Sequence, residues 1–153
     1  MKRREFNQAL GFCAGSLVVG NIEEIQKVDI NEKLLQLQLK AVQEDINAIE
    51  YIKNPSETVQ LAAVQQYPFA IEHIKNPSVD VQLAAVQRNG FAIQFIKNPS
   101  EEVQLAAVRQ DERVIEFIEN PCEAVQLAAV KRDGYTIRYI KNPCEAVKAL
   151  LKN

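Results

Sequence analysis

Few residues of this sequence are of the types that carry out catalysis or hold a metal ion. It contains one histidine, His73, and three cysteines, Cys13, Cys122 and Cys144. No second histidine or nearby cysteine is placed to form a nucleophile pair or a zinc shell with His73. The cysteines are also too few and too scattered for a disulfide framework. The inventory therefore argues against a nucleophilic enzyme and against a zinc protein.

Adjacent carboxylates are the other residues that could do chemistry. Glu101 and Glu102 follow Asn98-Pro99-Ser100, a sequence that predicts the start of a helix, where the helix dipole favours negative charge. A phosphate-binding loop is absent, because the chain has only 5 glycines and no Gly-x-Gly. We therefore expect no catalytic residue, no cofactor and no metal site.

A repeat of 22 residues dominates the sequence, and its folded units must position any functional side chains. Four identical copies of Val-Gln-Leu-Ala-Ala-Val occur at this spacing, and Asn-Pro recurs in the same register. A fixed period of this kind is typical of a stacked array, in which each unit buries its apolar face against its neighbours. The six-residue copies lie at 59–64, 81–86, 103–108 and 125–130, and the Asn-Pro pairs at 54–55, 76–77, 98–99, 120–121 and 142–143.

The unit that begins at Asn98 predicts a longer helix. Either Asn98 or Ser100 can cap its start. The helix then places Val103, Ala106 and Ala107 on one apolar stripe. The paired alanines allow a neighbouring helix to approach closely.

A turn and a shorter helical segment follow. Asn89-Gly90 and Asp133-Gly134 stand at the turn and predict positive φ there. The short segment, 114–118 in this unit, must dock on its neighbours because it is too short to be stable alone. Two isoleucine columns predict the core: Ile49, Ile71, Ile93, Ile115 and Ile137, and then Ile52, Ile74, Ile96, Ile118 and Ile140.

Two interpretations of residues 1–20 remain open. The start Met-Lys-Arg-Arg-Glu-Phe and the apolar run 9–20 resemble a cleavable twin-arginine-type signal, which implies a periplasmic protein. Gly11, Gly15 and Ser16 interrupt that run and count against a signal. The alternative is a capping helix of a cytoplasmic protein, with an apolar stripe at Phe6, Leu10, Cys13 and Leu17.

The chain divides by pattern into an N-terminal segment, residues 1–30, and a repeat region, residues 31–153. The first segment is read as a capping helix and linker, unless residues 1–20 are removed. The repeat region holds about five and a half units. Its last part, residues 142–153, keeps only the first helix, and Lys148 and Lys152 there give the polar edge expected of a C-terminal cap.

The sequence Val-Gln-Leu-Ala-Ala-Val-x-x-Asn-Gly-Phe-Ala-Ile at 81–93 resembles a short bacterial and viral helical repeat family of unknown function. Asn-Pro-Ser followed by two short helices is similar to the leucine-rich repeat variant, an alternating α/3₁₀ solenoid. The resemblance covers about 80% of the chain. It implies an all-α fold, an α-solenoid with a HEAT-like right-handed superhelix. The iron–sulfur domain of the leucine-rich repeat variant is not implied, because this chain lacks the cysteine cluster.

Charge favours a protein partner over nucleic acid or a membrane. The net charge is −2, so no global field attracts nucleic acid or anionic lipid. No apolar stretch of 18 residues exists to span a bilayer. A lysine column favours single-stranded nucleic acid, but an acidic column accompanies it. The lysines are Lys53, Lys75, Lys97 and Lys141, and the acids are Glu57, Glu101, Glu123 and Glu145.

The short segments supply the candidate binding residues, in two columns that are four residues apart and hence on one helical face. Such a stripe is either half-buried structure or an exposed aromatic groove, and His73 stands in it as a replacement for an aromatic ring. A glutamine ladder at 60, 82, 104 and 126 is predicted to be exposed, and it is either a second contact surface or a polar ridge that confers solubility. The candidates of the stripe are Phe69, His73, Phe91, Phe95, Arg113, Phe117, Tyr135 and Tyr139.

We therefore expect a non-enzymatic protein-binding repeat module. It would act as a scaffold or adaptor, or as a stoichiometric inhibitor, for example a bacterial or phage mobile-element inhibitor of a host system. A repeat protein that binds single-stranded nucleic acid is the alternative. The sequence specifies neither the partner nor the oligomeric state, since a fold does not fix a function.

Overall fold

The structure, a computed structural model, describes residues 15–150, and the side chains of residues 24 and 26–150. Every regular element among these residues is a helix, so the predicted all-α class is confirmed. The chain forms two compact units that divide between Leu37 and Gln38. The signal and cap interpretations depend on Phe6, Leu10 and Cys13, which lie outside the described residues, as does the side chain of Leu17.

Helix α1, Gly15–Glu44, begins in the first unit and ends in the second. It passes through residue 30, where the sequence predicts the linker to end. The helix continues because neither glycine nor proline occurs between Asn21 and Glu44. An ion pair between Lys33 Nζ and Asp29 Oδ2, at 2.8 Å, lies along its exposed side.

The second unit alternates α-helices of ten residues with 3₁₀ helices of six. The short helix α2, Ala48–Tyr51, precedes this series, and α7, Glu145–Leu150, follows it. The alternating elements are α3 Glu57–Gln66, η1 Pro68–His73, α4 Val79–Arg88, η2 Gly90–Phe95, α5 Glu101–Gln110, η3 Glu112–Phe117, α6 Glu123–Arg132 and η4 Gly134–Tyr139.

Serine, and not the asparagine of the Asn-Pro pair, caps helices α3, α4 and α5. The backbone N–H of Val103 donates to Ser100 Oγ at 3.4 Å, and Ser56 and Ser78 cap α3 and α4 in the same way. Asn98 has instead a positive φ of 51°, a left-handed conformation that asparagine tolerates. Asn98 therefore turns the chain two residues before the cap, and its interpretation as the cap is wrong.

The turn after each of α3 to α6 is extended and contains no left-handed residue. Asn89, Asp111 and Asp133 have φ between −151° and −145°, so the predicted positive φ at this turn is wrong. Each side chain accepts a hydrogen bond from the backbone N–H two residues later, which caps the 3₁₀ helix. These residues start the next helix, and this role favours extended backbone.

The core lies where successive elements meet. Consecutive α-helices from α3 to α7 contact one another, as do consecutive 3₁₀ helices. Each of η1, η2 and η3 also contacts the α-helices on both sides of it, and η4 contacts α6. Val103, Ala107 and Val108 of α5 are fully buried, whereas Ala106 is only half-buried. The predicted isoleucine columns are buried as expected, except that Ile52 and Ile137 at the two ends are half-buried.

Candidate functional site

All eight residues of the predicted stripe lie in the 3₁₀ helices, two in each of η1 to η4. None belongs to the fully buried core. Phe69, Phe91 and Phe95 are half-buried, and the remaining members are exposed at the surface: His73, Arg113, Phe117, Tyr135 and Tyr139. The stripe therefore becomes more exposed toward η4, where Tyr135 is 75% accessible.

The aromatic rings contact one another between helices. Phe69 of η1 meets Phe95 of η2 at a centroid distance of 5.9 Å, and Phe91 of η2 meets Phe117 of η3 at the same distance. The interplanar angles of 72° and 70° are those of edge-to-face pairs, which add to stability beyond the area that they bury. Rings of successive helices are thus linked in fixed orientations.

The 3₁₀ geometry explains why the contacts run between helices. The sequence prediction assumed that residues four apart share a face, which holds for an α-helix. At three residues per turn, positions four apart diverge by about 120°, whereas positions three apart align. Phe91 and Phe95 therefore point in different directions, and each packs against a ring of a neighbouring helix.

Two further residues join this surface. Tyr67, directly before η1, packs edge-to-face on Phe69 at 5.5 Å. The guanidinium carbon of Arg138 in η4 lies 5.7 Å from the ring centroid of Tyr135 and 5.9 Å from that of Tyr139. We call the resulting surface the aromatic face; it consists of Tyr67, Phe69, His73, Phe91, Phe95, Arg113, Phe117, Tyr135, Arg138 and Tyr139.

Arg113 is held within the aromatic face by two interactions. Its guanidinium carbon lies 5.6 Å from the centroid of Phe91. Its Nε and Nη2 donate to the two carboxylate oxygens of Asp111, at 3.0 and 2.6 Å. The side-chain hydrogen bonds from Arg113 lower the pKa of Asp111, and the same bonds raise the pKa of Arg113. This arginine is therefore already neutralised by its own chain.

A second ion pair lies beside the first. Arg132 Nε of α6 donates to Glu112 Oε2 at 3.0 Å. The pKa of Glu112 is lowered, first by a hydrogen bond from its own backbone amide and then by the bond from Arg132. Both acids at the start of η3 are thus paired with an arginine of the same chain.

The glutamine ladder is structural, which corrects the prediction that it is exposed. The Nε2 of Gln60, Gln82, Gln104 and Gln126 each donates to a proline carbonyl five residues earlier, at 2.9 Å. These side chains are buried or half-buried. Because the amides tie each α-helix to the Asn-Pro turn before it, they are withdrawn from contact with a partner.

The lysine column borders shallow grooves between successive turns. A groove of about 590 Å³ is lined by Lys75, Asn76, Phe95 and Lys97, among others. The next groove, of about 530 Å³, has Lys97 on one side and Glu119 on the other. The change from lysine to glutamate means that the column does not present a continuous positive surface.

Comparisons with protein-family models, curated proteins and solved structures find no match to this chain. The resemblance drawn from the repeat motif therefore remains a prediction. No cluster of three or more metal-ligating side chains is found in the part of the chain that the structure describes. Among residues 15–150, no helix combines the length and the apolar character needed to cross a bilayer.

Proposed function

We propose that this protein is a non-enzymatic binding module that holds another protein on its aromatic face. One observation supports this proposal most directly. Aromatic rings and arginines are accessible on four successive 3₁₀ helices, while the isoleucines beside them are buried or half-buried. Aromatic and arginine side chains dominate binding energy at protein interfaces. Exposed apolar patches of this continuity mark interaction sites on soluble proteins.

The proposal includes the architecture, an α-solenoid of 22-residue repeats similar to HEAT-like and leucine-rich repeat variant arrays. Its support is the recurrence of one α-helix and one 3₁₀ helix at the sequence period, with contacts between successive elements. Such an array repeats one surface position per unit and thereby builds an extended binding surface. The right-handed superhelix and the polar C-terminal cap at 142–153 belong to the same proposal.

Preorganisation supports binding by this face. Phe69 packs edge-to-face against Phe95, as does Phe91 against Phe117, so their rotamers are restricted before a partner arrives. Side chains that are already ordered lose less entropy on binding. A partner that covers three or four layers would bury the ~800 Å² per side that is typical of a specific complex. A chain of this kind acts by occupying a site on a larger protein, as an inhibitor or adaptor.

Single-stranded nucleic acid is the second candidate ligand. The groove that contains Lys75, Phe95 and Lys97 favours it, because cations beside a ring match the phosphates and bases of a single strand. Glu119 in the following groove and the acidic η3 oppose it. A protein partner therefore accounts for more of this surface.

The test is capture of partners from a lysate by the wild-type protein and by two variants, with mass spectrometry and with or without nuclease. Phe91→Ala and Tyr135→Ala each remove one ring of the aromatic face. Val79→Ala is the matched control, since Val79 is an exposed apolar residue of α4 outside the 3₁₀ helices.

We expect a partner that survives nuclease, binds the control and is lost from both ring variants. Thermal unfolding of each variant separates lost contacts from lost folding. A partner retained by both ring variants would overturn the proposal, and recovery that depends on nucleic acid would support the second candidate.

A further inference from the structure

We propose that the η4 end of the aromatic face is a subsite for an anionic group, and that its occupant is an aspartate or glutamate side chain in an extended segment of the partner. This inference rests on the proposed function and specifies the chemistry of the partner. Its elements are Arg138 and the two tyrosine rings that flank it, Tyr135 and Tyr139.

The arginines of the described chain differ in what already binds them. Arg113 and Arg132 are paired with Asp111 and Glu112. Among the described side chains, those of residues 24 and 26–150, no carboxylate lies within 4.0 Å of Arg138. Among arginines without such an ion pair, Arg138 is distinguished by the two rings that it contacts.

The rings orient the guanidinium of Arg138 and leave its hydrogen-bond donors available. A guanidinium near an aromatic face gains cation–π energy, which holds the long side chain in place. Its planar fork then presents parallel N–H groups that match the two oxygens of a carboxylate. Tyr135 and Arg138 are three residues apart and align on a 3₁₀ helix, so the ring and the cation face the same way.

Equivalent positions of the preceding unit carry the opposite charge. Arg138 and Lys141 of the η4 unit stand where the η3 unit has Glu116 and Glu119, each 22 residues earlier. All four side chains are exposed. The local potential therefore changes from negative to positive between two adjacent layers. Asp133, the acid at the start of η4, has its Oδ1 engaged by the backbone N–H of Tyr135 at 2.9 Å.

The earlier members of the Arg138 column are also not basic. They are acidic or neutral, and all are exposed: Glu50, Glu72, Gln94 and Glu116. Along this column, a partner thus meets a cation only at η4. Charge at the rim of an interface sets orientation and specificity more than affinity. We infer that the partner segment has apolar residues over η1 to η3 and an acidic residue at η4.

The experiment selects linear peptides from a displayed random library on the immobilised wild-type protein. The best binders are then synthesised with capped ends and titrated by fluorescence anisotropy. Each peptide is made in three forms. The first is the selected sequence, the second has its Asp or Glu replaced by Asn or Gln, and the third has phosphotyrosine at that acidic position. The protein variants are Arg138→Gln and, as the matched control, Arg109→Gln, an exposed arginine of α5 outside the aromatic face.

We expect selected peptides to carry an acid beside apolar residues and to lose about fivefold in affinity with Arg138→Gln, the effect of one exposed ion pair. Neutral peptides should not respond to this change, and Arg109→Gln should leave all affinities within error. The four combinations are the acidic or the neutral peptide with the wild-type protein or with Arg138→Gln. If Arg138→Gln weakens binding of the acidic peptide alone, the contact is between Arg138 and the acid.

Failure of this inference differs from failure of the proposed function. One outcome would overturn the anionic subsite alone. The selected peptides would be neutral, their affinity would fall with Phe91→Ala, and it would not change with Arg138→Gln. Binding seen only with phosphotyrosine would overturn the carboxylate as occupant. If the library yields no binder, or binders indifferent to Phe91→Ala and Tyr135→Ala, peptide binding by the aromatic face is overturned as well.

Discussion

The α-helices and the 3₁₀ helices of the second unit differ in how much their sequences vary. The central residues of α3 to α6 are identical in all four helices, and within them two valines and the second alanine are buried. The 3₁₀ helices keep their isoleucines but change almost every exposed position. In these helices, the residues buried between layers are therefore the same in every unit, whereas the residues that vary lie at the surface. The variable surface is the part of the molecule that can distinguish one partner from another.

The largest expected loss of stability comes from placing a charge at a buried position that α3 to α6 share. Ala107→Asp in α5 should destabilise the protein by about 3–5 kcal/mol, because its carboxylate would be buried without a partner. Denaturant unfolding measures the change. Ala106→Asp, at a half-buried position of the same helix, is the control and should cost clearly less. Equal losses would mean that the two alanines are not distinguished by burial.

A close backbone approach gives the next effect. A Cβ at Gly90 would lie 2.8 Å from the carbonyl oxygen of Ala107 and 2.8 Å from Gln110 Oε1. Gly90→Ala should therefore cost about 1–3 kcal/mol through overpacking. Gly134→Ala, at the equivalent but exposed position of η4, should be nearly neutral in the same unfolding experiment. A neutral Gly90→Ala would show that α5 can move away from η2.

Loss of a helix cap should have a smaller effect. Ser100→Ala removes the acceptor of the Val103 amide and should cost about 1 kcal/mol. Cys122 occupies the same position in α6 and makes no capping bond, so Cys122→Ala should change stability little. Thermal unfolding of the two variants compares them directly. Similar shifts in both would argue against the serine bond as the source of stability.

The smallest effect is a pH dependence at the start of η3. Because Arg113 lowers the pKa of Asp111 in the folded protein, this pair contributes stability above the unfolded pKa, near 4. That contribution is lost as the pH falls through the folded pKa. Arg113→Gln should remove part of this dependence, so the variant should lose less stability than the wild type between about pH 5 and pH 2. Parallel curves would show that the exposed pair is energetically silent.

The buried half of each unit could be predicted because the sequence repeats it. Ile71, Ile93 and Ile115 recur at one spacing, and only burial explains an apolar residue that never varies. Recurrence alone does not distinguish a buried glutamine from an exposed one. Gln104 also recurs, and its helical phase points outward, but its amide returns to the carbonyl of Pro99. Helical phase describes where a side chain leaves the backbone, and a long polar side chain can still fold back.

The aromatic face was only partly predictable. The ring columns were visible, but their contacts depend on whether the short segment has 3.0 or 3.6 residues per turn, which six residues do not decide. A spacing of four residues does not include Arg138, which lies three residues after Tyr135 in η4. The available signal was its departure from the acidic residues Glu72 and Glu116 at equivalent positions.

The ring pairs of the aromatic face have a consequence for how this chain can change in length. Phe69 with Phe95 and Phe91 with Phe117 each join one unit to the next, while the glutamine–proline bonds of α4 and α5 each close within a single unit. Duplication of the 22-residue unit that carries Phe91 and Phe95 would therefore repeat its glutamine bond and add one more ring pair, between Phe91 of one copy and Phe95 of the next. Insertion of any other number would break this register. Segments of 22 residues are therefore the increments by which this surface can lengthen or shorten while the register of the other units is kept.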